Sequence, residues 1–293
     1  MESYNDIKQG EKGAWISIFT YILLSLLKII VGRYTNSEAL FSDGLNNTSD
    51  IVASLAVLIG LKISRRPPDK NHPYGHFRAE TISALIASFI MAFIGVEVIR
   101  NAIVSFVKGS NGTPDITAAW VALISACVMF VVFFYNSRLA KRINNQALMA
   151  AAKDNLSDAY VSIGAFIGII GSQFGYPWLD AITAIIVGLI ICKTALEIFR
   201  DTANVLTDGF NEEEYLLEYK EAIINTSGVK EVKDIRARRH GNHVLLDVVI
   251  EVNPQLSVKE SHDITEKIEI KMKKKFKIYH TLIHIEPVNQ IVK

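Results

Sequence analysis

Asn46-Asn47-Thr48-Ser49-Asp50 and Asp154-Asn155-Leu156-Ser157-Asp158 are two five-residue words that agree at their second, fourth and fifth positions. Each sets an oxygen-bearing side chain four residues ahead of an Asp. On a helix, residues i and i+4 share a face about one turn apart, so each word presents two oxygen ligands side by side. Both words lie inside long apolar segments. An acidic group inside a bilayer costs about 2.5–3.5 kcal/mol on insertion scales and is by default a functional residue. Two such helices facing one another would form a cage of four oxygen ligands for a hard divalent cation. A single Asn or Ser in a bundle is read as an interhelical hydrogen-bond partner; three Asp in two matched words favour the cage.

Composition fits a membrane setting for those words. The 293 residues are 50% hydrophobic with a mean hydropathy of +0.25, high for a soluble protein, and a net charge of +1 gives no reason to expect nucleic acid as a partner. Long uncharged runs come first and a charged block follows residue 208, which predicts a membrane domain over 1–208 and a soluble tail over 209–293. Cys127 and Cys192 both fall in apolar runs without paired spacing and are read as small buried hydrophobes. The polar stretch from Met1 to Lys12 and the length of the first apolar run do not suggest a cleaved signal peptide.

Six spans are expected, at 13–33, 38–63, 79–107, 116–138, 148–173 and 178–200, each near the roughly 20 residues that cross a bilayer. Spans two and five are the least apolar, and they carry the two words. Their polar stripes must face a bundle interior, because lipid cannot satisfy them. Gly175 and Pro177 make a short turn between spans five and six. Lys8, Lys12, Lys62, Arg65, Arg66, Lys70, Arg78, Arg138, Lys141 and Arg142 fall on one side, against Arg33 and Lys108 on the other. The positive-inside bias then places both termini in the cytoplasm.

In the tail, Glu212 to Ile224 and Lys259 to Phe276 are helical stretches. Val229 to Arg238, Val244 to Val252 and Tyr279 to Ile285 are strand-like, with His240-Gly241-Asn242 as a turn. The αββαβ order suits two helices on one face of a three-stranded sheet, small enough that association with a second copy is expected.

The span-two stripe extends beyond the word: Asp43, Asn46, Asn47 and Asp50 stand at i, i+3, i+4 and i+7. Asn46 and Asp50 occupy the places of Asp154 and Asp158, so these four are the candidate ligands, with Asp43 and Asn47 as supporting residues. Between spans two and three, Asp69, His72 and His76 sit on a turn made by Pro73 and Gly75. An Asp with two His suits Zn²⁺ or a similar ion with water in the fourth position; a solvated basic loop is the alternative. The tail offers His262, His284 and Glu286, or simply scattered surface His. Arg78 and Asp208 stand at one end of the bundle as a possible clasp, and Glu97 with Arg100 as a local pair. No P-loop, nucleophile elbow or zinc-protease helix is present, so an enzyme is not expected.

With these residues the chain resembles the cation diffusion facilitator family over nearly its whole length. The resemblance implies six spans, cytoplasmic termini and a ferredoxin-like tail that dimerises. The family's two ligand pairs map to Asn46/Asp50 and Asp154/Asp158. Its loop signature maps to Asp69, His72, Gly75, His76, Arg78 and Glu80, and its charge interlock to Arg78 and Asp208. Zinc members carry His in a transmembrane pair; this chain has none and looks like the manganese-exporting branch. His262, His284 and Glu286 match tail ligand positions, but Lys233 and Val249 stand where His is needed. The implied function is proton-coupled efflux of divalent cations across the plasma membrane, Mn²⁺ first, with Zn²⁺, Fe²⁺ and Co²⁺ as other ions and no resident cofactor. A Zn²⁺ or Fe²⁺ exporter, or a non-transporting membrane metal sensor, are the rivals.

Overall fold

The computed structural model describes residues 2–64, 66–108, 113–142, 146–176, 178–241 and 243–288. Arg65, Pro177 and Asn242 lie outside the described residues, as do the side chains of Lys8, Lys12 and Lys108. Six long helices come first: α1 (Glu2–Tyr34), α2 (Glu38–Ser64), α3 (Arg78–Lys108), α4 (Ile116–Arg142), α5 (Gln146–Gln173) and α6 (Trp178–Leu206). Then follow α7 (Glu213–Ile224), β1 (Glu231–His240), β2 (His243–Val252), α8 (Val258–Phe276) and β3 (His280–Pro287). Contacts divide the chain into two compact units, Met1–Val57 with Ile86–Phe199, and Leu58–Leu85 with Arg200–Lys293.

Among the described residues, four stretches are long and apolar enough to cross a bilayer by themselves: Trp15–Tyr34, Arg78–Val107, Ile116–Arg142 and Trp178–Leu206. The exceptions are α2 and α5, which carry the polar words: Asn46, Asn47 and Ser49 of the first and Asn155 and Asp158 of the second are buried, while Asp154 and Ser157 are exposed. The outward faces are apolar instead, with Phe19, Phe93 and Val131 well exposed. Small residues let the helices approach closely, since lipid provides no hydrophobic drive between them and packing must do the work. Ala39, Ala118, Ala119, Ala122 and Ala165 form one buried contact among α2, α4 and α5. A Cβ on Gly32 would meet the Phe41 backbone at 2.6 Å, and one on Gly44 would meet Ile29 at 2.8 Å, so α1 and α2 touch backbone to backbone at two places. Asp180 of α6 closes the start of α2, accepting from Ser37 Oγ at 2.7 Å and from the Glu38 and Ala39 amides at 2.6 and 3.3 Å. Those amides are orphan donors at a helix start, so a carboxylate there caps the helix from another element.

Cys127 is exposed and Cys192 half-buried, both free, rather than buried. In a lipid-facing bundle an apolar side chain loses nothing by pointing outward, so apolar surroundings in sequence do not imply burial.

In the second unit, β2 is the central strand, antiparallel to β1 and parallel to β3. Its Leu246, Val248 and Ile250 alternate into a core shared with Ile223 of α7 and Ile264, Ile268 and Met272 of α8. The helix α8 starts with a capping box, Ser257 and Glu260 satisfying each other's backbone amides. It ends at Lys277 in the left-handed conformation, φ 57°. Gly241 at φ 60° makes the tight turn between β1 and β2. At Lys233 the β1–β2 register slips, Val232 pairing Ile250 and Asp234 pairing Val249. This bulge sends the Lys233 ammonium to Glu251 of β2 (2.7 Å) and Glu286 of β3 (2.8 Å).

Candidate metal centre

The two words meet. Asn46, Asp50, Asp154 and Asp158 line one cavity of about 590 Å³ in the first unit, together with Tyr21 of α1 and Glu197 of α6. Helical spacing puts 46 with 50 on one face of α2 and 154 with 158 on one face of α5. Asn46 Nδ2 donates to Asp158 Oδ1 at 3.0 Å. Asp50 Oδ2 is buried with no hydrogen-bond partner. Buried carboxylate oxygens are rarely left so, and an orphan acceptor is a group that a cation can use. Among the described residues no His or Cys lines this cavity.

A directional hydrogen-bond chain runs into the cavity wall. Asn136 Nδ2 donates to Ser17 Oγ (2.8 Å), Ser17 Oγ to Asn155 Oδ1 (3.0 Å), Asn155 Nδ2 to Tyr21 Oη (2.9 Å), and Tyr21 Oη to Asp158 Oδ2 (2.7 Å). Every donor points toward the carboxylate, which therefore has both oxygens fixed, one by Asn46 and one by Tyr21. A second group lies beside it. Lys28 of α1, 0% exposed, donates to Asn47 Oδ1 (2.7 Å) and Ser162 Oγ (2.9 Å) and pairs with Asp43 Oδ2 at 3.0 Å. So Asp43 and Asn47 face Lys28 and not the cavity.

In the second unit, Asp69, His72 and His76 converge, their ligand atoms all within 4.8 Å of one another; among the described residues no other three His, Cys, Asp or Glu do so. Asp69 Oδ1 is 3.1 Å from His72 Nδ1, and Asp69 Oδ2 is 3.4 Å from His76 Nε2. Gly75 at φ 84° turns the loop so that His76 comes back beside His72. The backbone amide of His72 is the chief reason that the Asp69 carboxyl is held below the usual carboxylate range, with the His72 ring and the Asn71 amide adding to it. Arg78 donates to Asp208, which closes α6 in the left-handed conformation, φ 61°, a backbone that Asp tolerates better than most residues.

The tail residues are not brought together as a site. His284 Nε2 is 3.9 Å from Glu286 Oε1, but His262 does not join them within ligand distance. Glu286 is held instead by Lys233, whose hydrogen bond lowers its carboxyl below the ordinary range. A lysine ammonium already satisfies the carboxylate that a metal would need.

The model of the cation efflux transmembrane domain matches residues 14–207, and that of the cation efflux protein cytoplasmic domain matches residues 212–288. The chain belongs to the cation diffusion facilitator family. Manganese efflux system protein MneS of Bacillus subtilis (strain 168) is 52% identical to this facilitator over 99% of this chain and 100% of that protein. The uncharacterized transporter YdbO of the same organism is 50% identical over 98% and 99%, and manganese efflux system protein MneP is 37% identical over 95% and 96%. This cation diffusion facilitator is thus a membrane cation efflux protein with a small mixed-sheet tail.

Sequence reasoning missed Lys28, Tyr21, Ser17, Asn136 and Ser162. Lys28 left a readable signal, since an ionisable residue inside an apolar run is functional by default; a count of Lys and Arg made for topology passes over it. Tyr21 left none, because its use depends on which helix lies opposite.

Proposed function

We propose that this facilitator exports Mn²⁺ from the cytoplasm in exchange for protons, by alternating access at Asn46, Asp50, Asp154 and Asp158. The observation that carries the reading is a cavity furnished with carboxylate and amide oxygens and free of imidazole and thiolate. Mn²⁺ binds most weakly of the first-row divalent ions at a given site, so a Mn²⁺ carrier must select by ligand type. Oxygen ligands remove the advantage of Zn²⁺ and Cu²⁺, and Mg²⁺ is disfavoured where it must shed water and find octahedral geometry. The manganese efflux names of the 52% and 37% identical relatives point the same way.

Proton coupling follows from charge. Three carboxylates against one divalent ion leave −1, and three without an ion cannot all stay ionised in a low-dielectric cavity. Metal entry then releases protons and reprotonation expels metal. Rocking of the bundle around the fixed site exposes it to each side in turn. In this reading residues 1–208 transport and residues 209–293 form a cytoplasmic dimerisation domain. The plasma membrane holds the bundle with both termini in the cytoplasm, and Arg78–Asp208 is the interlock at its surface. Asp69, His72 and His76 form an accessory metal-binding loop, while the tail acts through association, its Glu286 being engaged by Lys233.

The test is Mn²⁺ flux in reconstituted vesicles. Asp154→Ala and Asp158→Ala should each abolish it while leaving a folded dimer; full activity in both ends the proposal.

A further inference from the structure

Lys28 is an expensive residue to bury, and its surroundings explain how it is held. An ammonium has three donors and no acceptor, and here it meets three oxygens: Asn47 Oδ1, Ser162 Oγ and Asp43 Oδ2 at 2.7, 2.9 and 3.0 Å. Among the described residues both Asp43 carboxylate oxygens are buried without a hydrogen-bond partner, so Lys28 holds Asp43 as an ion pair and Asp43 Oδ1 meets no donor. Gly44 allows this placement, since a Cβ there would come within 3.0 Å of the Lys28 Cβ. The oxygens repeat the register of the neighbouring cavity. On α2, 43 and 47 are spaced as 46 and 50 are; on α5, Ser162 continues the series 154, 158 by another four. The two sets are therefore about one helical turn, roughly 5.4 Å, apart along the bundle.

We infer that Lys28 is a resident cation, its ammonium filling a second oxygen cage of Asp43, Asn47 and Ser162 that would otherwise take a hard divalent ion. An ammonium and a hard metal ion ask for the same thing, converging oxygen lone pairs around one positive charge. Deleting the ammonium leaves those oxygens in place with a buried negative charge uncompensated, which an ion from solution can replace. Two-metal sites in proteins hold ions closer together than one helical turn, so spacing does not forbid it. With Lys28 present, each bundle keeps a single place for cargo. The inference uses the proposed transport site only to compare registers; the cage around Nζ stands on its own contacts.

The test is the number of Mn²⁺ ions bound per protomer by the full chain in detergent, by equilibrium dialysis and elemental analysis. Lys28→Ala should bind one more than the native chain, and Lys28→Ala with Asp43→Asn should return to the native count. Lys28→Ala with Asp154→Ala should still exceed Asp154→Ala by one. If Asp154→Ala binds as much Mn²⁺ as the native chain, the transport-site reading fails, and the gain on removing Lys28 still decides the cage. A folded Lys28→Ala chain at the native count overturns the inference, as does a gain that survives Asp43→Asn. Should Lys28→Ala not accumulate alone, growth and purification in Mn²⁺ must restore it; failure to do so also overturns the inference.

Discussion

Tyr21→Phe removes one hydroxyl and nothing else, and the hydrogen-bond chain says what that should cost. Tyr21 Oη donates to Asp158 Oδ2 at 2.7 Å and accepts from Asn155 Nδ2 at 2.9 Å. A hydrogen bond to a charged group is worth about 1.5–3 kcal/mol, or roughly a 10- to 150-fold change in an equilibrium constant. Outer-shell partners of metal ligands typically cost about 10–100-fold in affinity when removed, the same range reached from mutational experience. The sign is set by geometry: without Tyr21, Asp158 is fixed through one oxygen only, and its approach to a cation is no longer prepared. Half-saturation of Mn²⁺ flux in reconstituted vesicles should therefore rise by one to two orders of magnitude. The Asn155 amide also loses its acceptor, so thermal stability should fall by about 1–3 kcal/mol. A folded Tyr21→Phe chain with unchanged half-saturation would refute the claim that Asp158 is a positioned ligand.

Replacing Asn46 and Asp154 together by His should shift vesicle transport from Mn²⁺ toward Zn²⁺, because imidazole restores the preference that all-oxygen ligands remove; an unchanged metal ranking puts selectivity elsewhere. Gly44→Ala should destabilise the bundle by about 1–3 kcal/mol, since its Cβ would meet Ile29 Cγ1 at 2.8 Å and the Ile29 amide at 2.9 Å. A melting temperature equal to native would show that α1 and α2 can part freely. In the tail, Glu286 is held below the ordinary carboxylate range by Lys233, and Glu260 by the Ser257 amide and then its hydroxyl. Carboxyls lowered by folding contribute stability that is complete above their ordinary range and is lost as pH falls through the lowered values. Hydrogen-exchange protection of α8 and β3 should thus weaken on acidification, and less so in Glu260→Gln with Glu286→Gln. Equal weakening in both would remove these two groups as the cause.

The helices were legible because each long apolar run ends at a charge, Gly or Pro signal. Span two, expected at 38–63, is α2 at Glu38–Ser64, and span five, expected at 148–173, is α5 at Gln146–Gln173. The tail strands followed from β-branched runs around Gly241, and β3 begins one residue after its expected start. The bulge at Lys233 was not legible: the sequence showed only that Lys233 stands where a His ligand is needed, and its partners Glu251 and Glu286 come from β2 and β3. Around the cavity, i and i+4 spacing identified groups on one helix, because helix geometry is local. It could not show that Asp43 and Asn47 turn to Lys28, or that Asn136 and Ser17 support Asn155, since those pairings depend on how separate helices pack. Cys127 shows the converse error, an apolar context mistaken for an interior one.

The most direct measurement is the anomalous scattering of Mn²⁺ in crystals of the full chain grown with the metal. A peak should stand in the first unit within about 2.0–2.6 Å of oxygens of Asp50, Asp154 and Asp158, with the Asn46 amide completing the shell. A transport-competent chain whose only membrane-domain peak lies away from those four residues would contradict the account.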